Sequence, residues 1–486
     1  MFKRSLPFLL GAVLQTGCDE APPPPPDTSA ERCDALPASV HERLDAFVTE
    51  RMQQEHVPGL SLAILQDGKT VCLKAYGLAN LETKERMTAR TRMSIGSTTK
   101  SMTALALMQQ VEAGKVDLDA PVTRYLPWFR TADGLQGQIL VKHLLTHTSG
   151  LPGSYVWDGA HDEGALERRV RELAHVTLRF TPGQGDEYSN DGVTVLGLIV
   201  QTVSGKPFTR YLADAVFTPL GMTHTFVNPA PPEGPDMSQP YVRTRGELQR
   251  RMPPTSLAHA PAGSATFTSA EDVALYLSGL LAGGVGPGGR VLSARNVERM
   301  WQPLMLPDRG MGWELSPPSG RRTVFHGGNT PISSSMFMMY PAERAAVAVI
   351  SNRNTPATTD VALGVSALLF GEALPPVTPS PFVERPPSTF VPDVRVWQDY
   401  VGTFDTRKGR IDITVEDQRL WATFHLGQPS VRVELEAYGD NDFVTRDEYA
   451  VLEAVAIRFQ HEPDGGLSLL FMGQPIGKRL EDALYR

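Results

Sequence analysis

Apolar positions change their period along this chain, and the changes divide it. Val40, Leu44, Phe47 and Met52 recur at helical spacing, and Pro58-Gly59 stops that helix. Residues 59–65 and 70–76 are β-rich runs joined at Asp67-Gly68, a dipeptide that suits a tight hairpin turn. A helix is predicted from Ser97 to about Ala113, with Gly114 as its stop. Its stretch from Met102 to Met108 is nearly all apolar, which predicts burial on every side. Further on, a strand begins at Thr323, strands follow over 336–340 and 345–351, and a last helix covers about 359–370. Strands at both ends with helices between them predict an α+β domain on one antiparallel sheet. Seven prolines between 371 and 394 read as a linker. Beyond it, Ile411, Ile413 and Val415 alternate with polar residues, as do Leu420, Ala422 and Phe424, then Val431, Val433 and Leu435. That pattern predicts a small antiparallel barrel or sandwich.

The first residues follow a different logic. Lys3 and Arg4 precede a short apolar stretch over 6–14, and Thr16-Gly17-Cys18 follow, which describes a secretory signal rather than a span. Cys18 resembles the lipidation site of bacterial lipoproteins, although Gln15 stands where that pattern usually has Leu. The unbroken prolines 22–26 favour an extended tether. The expected organisation is a signal peptide over 1–17, a tether over 18–34, a main domain over 35–372, a linker over 373–394 and a barrel over 395–486. The chain is expected to be exported to the cell envelope or periplasm and held at a membrane through Cys18. Export leaves Cys33 and Cys72 two readings, a disulfide or two buried thiols.

Composition narrows the chemistry. Lys and Arg number 46 against 54 Asp and Glu, a net charge of −8, so the chain lacks the positive excess that phosphate backbones require and no nucleic-acid partner is expected. With 3 Cys, a cysteine-based metal centre is not expected either. Gly284-Val285-Gly286-Pro287-Gly288-Gly289 satisfies G-x-G-x-x-G but follows a helical pattern instead of a strand, so it reads as a loop. Three other stretches carry chemistry. In Ser97-Thr98-Thr99-Lys100 the two side chains share one helix face, and the helix N-terminus adds partial positive charge. In Tyr188-Ser189-Asn190 a phenol of pKa ~10 needs a nearby cation to act as a base, and Lys100 is one candidate for it. In His326-Gly327-Gly328-Asn329 two glycines let a backbone run close to a ligand, so that N–H groups can face a carbonyl. Taken singly, each also fits a structural role: a helix-capping serine with a surface lysine, a core tyrosine, and a glycine turn after an edge strand.

In this order the three stretches resemble the serine β-lactamase and penicillin-binding protein family, closest to its class C-like branch of D-aminopeptidases, D,D-carboxypeptidases and esterases. The likeness runs over residues 58–352. It includes Gly59-Leu60-Ser61-Leu62-Ala63, the stretch 140–152 around Thr146-His147-Thr148-Ser149-Gly150, Thr181-Pro182-Gly183, Pro219-Leu220-Gly221-Met222 and Gly310-Met311-Gly312-Trp313. The tail resembles a lipocalin-like C-terminal domain.

The resemblance implies an antiparallel sheet flanked by helices with an all-helical subdomain, and no cofactor. It implies Ser97 as an acylated nucleophile, with Lys100 and Tyr188 sharing proton transfer. Asn190, His326, Gly328 and Asn329 would bind substrate, and the Ser97 and Asn329 backbone N–H groups would form an oxyanion hole. His326 stands where many relatives carry Lys, which shifts weight from β-lactams toward peptides and esters. His143 and His147 are assigned structural roles, and residues 229–262 a wall over the site. The expected activity is acyl-enzyme hydrolysis of D-amino-acid peptides or related amides and esters. A β-lactamase and a non-catalytic envelope protein are the alternatives. The barrel shows no nucleophile–base pattern and is expected to shape access or mediate self-association.

Overall fold

In the computed structural model the described residues are 32–33, 35–153, 164–227, 234, 236–244, 247–250, 262–316, 320–330, 332–376, 391–406, 409–425, 430–446, 456–471 and 474–480. Cys18, most of the tether, residues 377–390 of the linker and most of the 229–262 wall lie outside them. Helix α1 (Ala38–Gln54) leads to the hairpin of β1 (Gly59–Gln66) and β2 (Lys69–Asn80). Next come the buried helix α2 (Thr99–Glu112), then α3 (Asn190–Ser204) and α4 (Ala270–Leu281). Strands β3 (Val324–Thr330), β4 (Ser333–Tyr340) and β5 (Ala345–Ser351) and helix α5 (Ala357–Leu369) complete the body. The strands form one antiparallel sheet ordered β3-β4-β5-β1-β2, with short edges at Glu314–Leu315 and Glu85–Arg86.

Period-two alternation explains the layers. Leu60, Leu62 and Ile64 of β1 pack with Val347 and Val349 of β5 into a core shared with α1 and α5. Ala63, Leu65, Ala346, Ala348 and Ile350 face a second core that includes α2, α3 and α4. A sheet apolar on both faces must be covered on both, and here it is. Cys33 and Cys72 are joined as a disulfide, so of the two readings pairing holds. Glycine-rich 284–289 forms a small hairpin of Val285–Gly286 and Gly289–Arg290, where a Cβ on Gly286 would come within 2.5 Å of Pro219 O. Its glycines serve packing.

Eight antiparallel strands, from Gly402–Thr406 to Gln474–Arg479, close into a barrel. Phe404, Ile411, Ile413, Leu420 and Phe424 point inward, and a 3₁₀ turn at Val396–Tyr400 brings Trp397 and Tyr400 against them. Tyr400 stacks on Phe459 at 4.4 Å.

Candidate active site

The turn Gly96–Thr98 runs directly into α2, so Ser97 sits at the mouth of a helix whose next side chains are all buried. Lys100 is 2% exposed. Its Nζ donates to Ser97 Oγ at 2.9 Å and to Gly263 O at 3.0 Å. Neither partner is charged, and burial pushes the Lys100 ammonium down to about 7. An amine that exchanges its proton near neutrality, against a hydroxyl, can take the hydroxyl proton.

Tyr188 comes from the segment before α3. Lys100 Nζ lies 4.9 Å from the centre of its ring. Ser189 caps α3 by accepting from Gly192 N at 2.9 Å, donates to Pro152 O at 3.0 Å, and uses its own N–H on His147 Nδ1 at 3.1 Å. The Arg169–Asp191 pair, with two 2.9 Å bonds, is buried behind the first turn. Asn190 is the first residue of that helix, and its carbonyl accepts from Thr194.

His147, expected to be structural, stands beside Tyr188 and holds the segment that carries it. Its ring lies 4.4 Å from the Tyr188 ring, and its carbonyl accepts from Glu187 N at 2.9 Å. It therefore grips the residues on both sides of Tyr188. Its φ of 60° is in the left-handed region, which no composition or period reveals; the polar run Thr146-His147-Thr148-Ser149-Gly150 after an apolar helix was the available signal. Burial first, then the Lys100 charge, holds the imidazole well below its ordinary value. His143 lies behind, accepting from Leu140 N at 3.2 Å.

The His326-Gly327-Gly328-Asn329 stretch is not a turn after a strand, because β3 continues through it to Thr330. Gly328 explains why: a Cβ there would sit 2.0 Å from Ile95 O, so only glycine lets the strand press against the Ser97 turn. A Cβ on Gly96 would fall 2.9 Å from Asn329 N, which brings the backbones at 96 and 329 side by side. Gly328 thus works through packing. His326 is buried, its ring centre 6.4 Å from that of Tyr188. Its Nδ1 donates to Gly327 O at 2.6 Å, which leaves Nε2 with the lone pair. Burial and then Lys100 lower its pKa to about 3, so it is neutral. His147, Tyr188, Arg309, Trp313 and His326 wall one narrow pocket. Among the described residues, no group of three or more His, Cys, Asp or Glu could hold a metal.

One expectation is corrected. The barrel does contain a hydroxyl–imidazole–carboxylate chain: His425 Nδ1 meets Ser430 Oγ at 2.8 Å and Nε2 meets Asp412 Oδ2 at 2.8 Å. Asp412 and His425 alternate with inward-facing Ile411, Ile413 and Phe424, so the chain lies on the outer wall. Residues on neighbouring strands assemble it, and linear spacing does not show that.

Residues 44–371 match the family described as Beta-lactamase, and the chain belongs to this β-lactamase-like serine hydrolase family. Among curated relatives, Protein flp of Staphylococcus aureus (strain N315) is 27% identical over 322 residues, covering 65% of this chain and 63% of flp. The chain thus spans somewhat less than two thirds of that relative's length. Esterase EstB of Burkholderia gladioli is 30% identical over 347 residues, covering 62% of this chain and 86% of EstB. The octameric penicillin-binding protein homologue from Pyrococcus abyssi shares the fold, with a TM-score of 0.60, 24% identity, and coverage of 90% of this chain and 100% of that one.

Proposed function

We propose that this chain is a serine hydrolase that works through an acyl-enzyme on D-amino-acid peptides or related amides and esters. The observation that carries the reading is the 2.9 Å contact of Lys100 Nζ with Ser97 Oγ, with an amine that is half-deprotonated near neutral pH. Ser97 Oγ attacks the substrate carbonyl carbon while its proton passes to Lys100, with Tyr188 completing the relay. The carbonyl oxygen, now negative, accepts from the N–H groups of Ser97 and Asn329. The leaving amine or alkoxide takes the proton, and the C–N or C–O bond breaks. Water then repeats the sequence on the ester formed at Ser97, returning acid and free enzyme. Asn190 and His326 bind substrate, and a neutral His326 suits peptides and esters better than a site built around a fixed positive charge. The likeness to an esterase supports the ester arm.

Export and a lipid anchor on Cys18 belong to the same proposal. The Cys33–Cys72 disulfide supports an oxidising compartment. Self-association is included as well, since one fold neighbour is described as octameric. The decisive experiment is intact-mass analysis after brief exposure to D-peptides, aryl esters and penicillins. An acyl mass on Ser97, absent in Ser97→Ala, is the expected result. No adduct on Ser97 with any of them, together with unchanged hydrolysis by Ser97→Ala, would overturn the reading.

A further inference from the structure

Three serines open β4, a strand otherwise built of Met, Phe and Tyr, and all three are buried. Buried hydroxyls need partners, and each of these has one. Ser333 Oγ meets Thr330 Oγ1, at the end of β3, at 2.7 Å, and Ser334 donates to Arg353 O, just past β5, at 3.1 Å. Ser335 leaves the sheet instead. Its hydroxyl donates at 2.7 Å to Ile95 O, 240 residues away in sequence and two residues before Ser97.

Register makes this reach possible. Ser335 pairs opposite Gly328 of β3, so the two side-chain positions lie on one face of the sheet. A Cβ on Gly328 would come within 2.5 Å of Ser335 Oγ and 2.0 Å of Ile95 O, so the glycine clears the space through which the hydroxyl meets the turn. Thr98 Oγ1 donates to the same carbonyl at 2.9 Å. Each hydroxyl has one proton and the carbonyl two lone pairs, so Ile95 O can take both. The two bonds differ in what they join. Thr98 closes the turn on itself, whereas Ser335 ties the turn to the strand pair that carries Asn329. On the other side of the same residue, Ile95 N donates to Thr266 O at 3.0 Å.

We propose that Ser335 is a positioning residue that holds the Ser97 turn at its working distance from Asn329, so that the backbone N–H groups of 97 and 329 converge on one oxygen. This rests on the hydrolase reading above and goes beyond it by naming what sets the width of the oxyanion hole. Ser335 is only 2% exposed and acts through the peptide that leads into Ser97. Glycines at 96 and 328 let the two backbones approach, but a glycine permits closeness without fixing it. A directed hydrogen bond fixes it. Donors fixed in advance stabilise an oxyanion with no reorganisation during the reaction.

The test compares Ser335→Ala with Thr98→Val in the full-length chain, on 4-nitrophenyl acetate and on phenylboronic acid. Each variant takes one hydroxyl donor from Ile95 O and leaves the other, so the carbonyl is not orphaned and both chains should fold. Phenylboronic acid gains a bond from Ser97 Oγ to boron, while the hydroxyl proton passes to Lys100, and becomes a tetrahedral anion with one oxygen in the oxyanion hole. Ser335→Ala should lower kcat by roughly 10–10²-fold with KM within about twofold, and should weaken boronate binding by a similar factor. Thr98→Val loses a bond to the same atom without freeing the strand, and should lower kcat by less than about threefold. The pH midpoint of kcat/KM should stay at about 7 in both, since neither hydroxyl contacts Lys100. Equal losses in the two variants, or wild-type turnover by Ser335→Ala, would overturn the positioning role and leave Ser335 a satisfied core hydroxyl; the hydrolase reading would survive either result. Should wild type neither hydrolyse the ester nor bind the boronate, the hydrolase reading falls and the positioning role falls with it.

Discussion

A serine hydroxyl meets a basic nitrogen in two places in this chain, at nearly equal distance: 2.9 Å between Ser97 and Lys100, and 2.8 Å between Ser430 and His425. The second pair even has a carboxylate behind its imidazole. Their surroundings differ in every other respect. Lys100 is almost fully buried, while the His425 side chain is 29% exposed and Ser430 is open to solvent. Ser97 lies at a helix mouth with the Asn329 backbone pressed beside it by two glycines, whereas Ser430 follows a barrel strand on the outer wall. Hydrogen-bond length does not make a nucleophile. What distinguishes the first pair is desolvation, which brings the Lys100 pKa down to about 7, and the close approach of the backbones at 96 and 329, the surroundings that the proposed chemistry requires.

The sharpest way to break this contrast is to remove each hydroxyl. Ser97→Ala should lower ester hydrolysis by roughly 10⁴-fold or more, as loss of a nucleophile does elsewhere. Ser430→Ala should stay within about twofold, the level at which a change in rate is worth under ~0.5 kcal/mol. Steady-state kinetics on one activated ester reads both. Loss of activity in Ser430→Ala with Ser97→Ala intact would invert the comparison.

Next in size is Lys100. Lys100→Met should cost about 10²–10⁴-fold in kcat/KM. In the wild type, kcat/KM should rise with pH through about 7, because the ammonium cannot accept a proton and the amine can. His326 stays neutral over that range and adds no limb. The same substitution should stabilise the fold. The Lys100 ammonium is disfavoured in the native state, so between about 7 and its ordinary 10.5 the unfolded chain binds more protons and stability rises with pH. Removing the amine lifts a penalty on the order of 2–5 kcal/mol that is full below about pH 7 and gone by about 10.5. Denaturation at pH 6 and pH 10 would show the gain shrinking; an equal gain at both would contradict the buried-ammonium account.

His147 tests the geometry rather than the chemistry. His147→Ala removes the acceptor for Ser189 N and the ring against Tyr188, and should lower kcat by roughly 10–10²-fold with a small change in KM. Asn tolerates positive φ and offers an oxygen to the same N–H, so His147→Asn should restore thermal stability toward wild type while kcat stays low. Full recovery of kcat in the Asn variant would reduce His147 to a backbone cap.

Much of the fold was legible before any coordinates, and for one reason: period. The 59–76 hairpin, the wholly apolar helix after Ser97 and the alternating barrel strands each carry a local pattern that survives into the structure, and so does the α+β assembly they imply. The contact between Ser97 and Lys100 was legible too, since three residues on a helix share a face. What the pattern could not convey depends on non-local packing. The continuation of β3 through Gly327-Gly328 follows from contact with Ile95, far away in sequence. The left-handed His147, the bond from Ser335 to Ile95, and the Ser430–His425–Asp412 chain arise where separate segments meet. Resemblance supplied the pairing of Tyr188 with Lys100, which spacing alone left open.

A small effect should also come from loss of the barrel as a whole. Its apolar core, built on Phe404, Phe443, Phe459 and their neighbours, is separate from the two cores on either side of the large sheet. Removing residues 395–486 takes away Ser430, His425 and Asp412 together but leaves every residue around Ser97 in place. Hydrolysis of a small activated ester should then change by less than about tenfold, equivalent to under ~1.4 kcal/mol of barrier. Larger peptide substrates or the assembly state should respond, read by relative kcat/KM across substrate sizes and by light scattering. A truncated chain that keeps native thermal unfolding yet loses the small ester would mean that the barrel contributes to the reacting centre. In that case the separation between a desolvated serine and an exposed one, on which the contrast rests, would no longer hold.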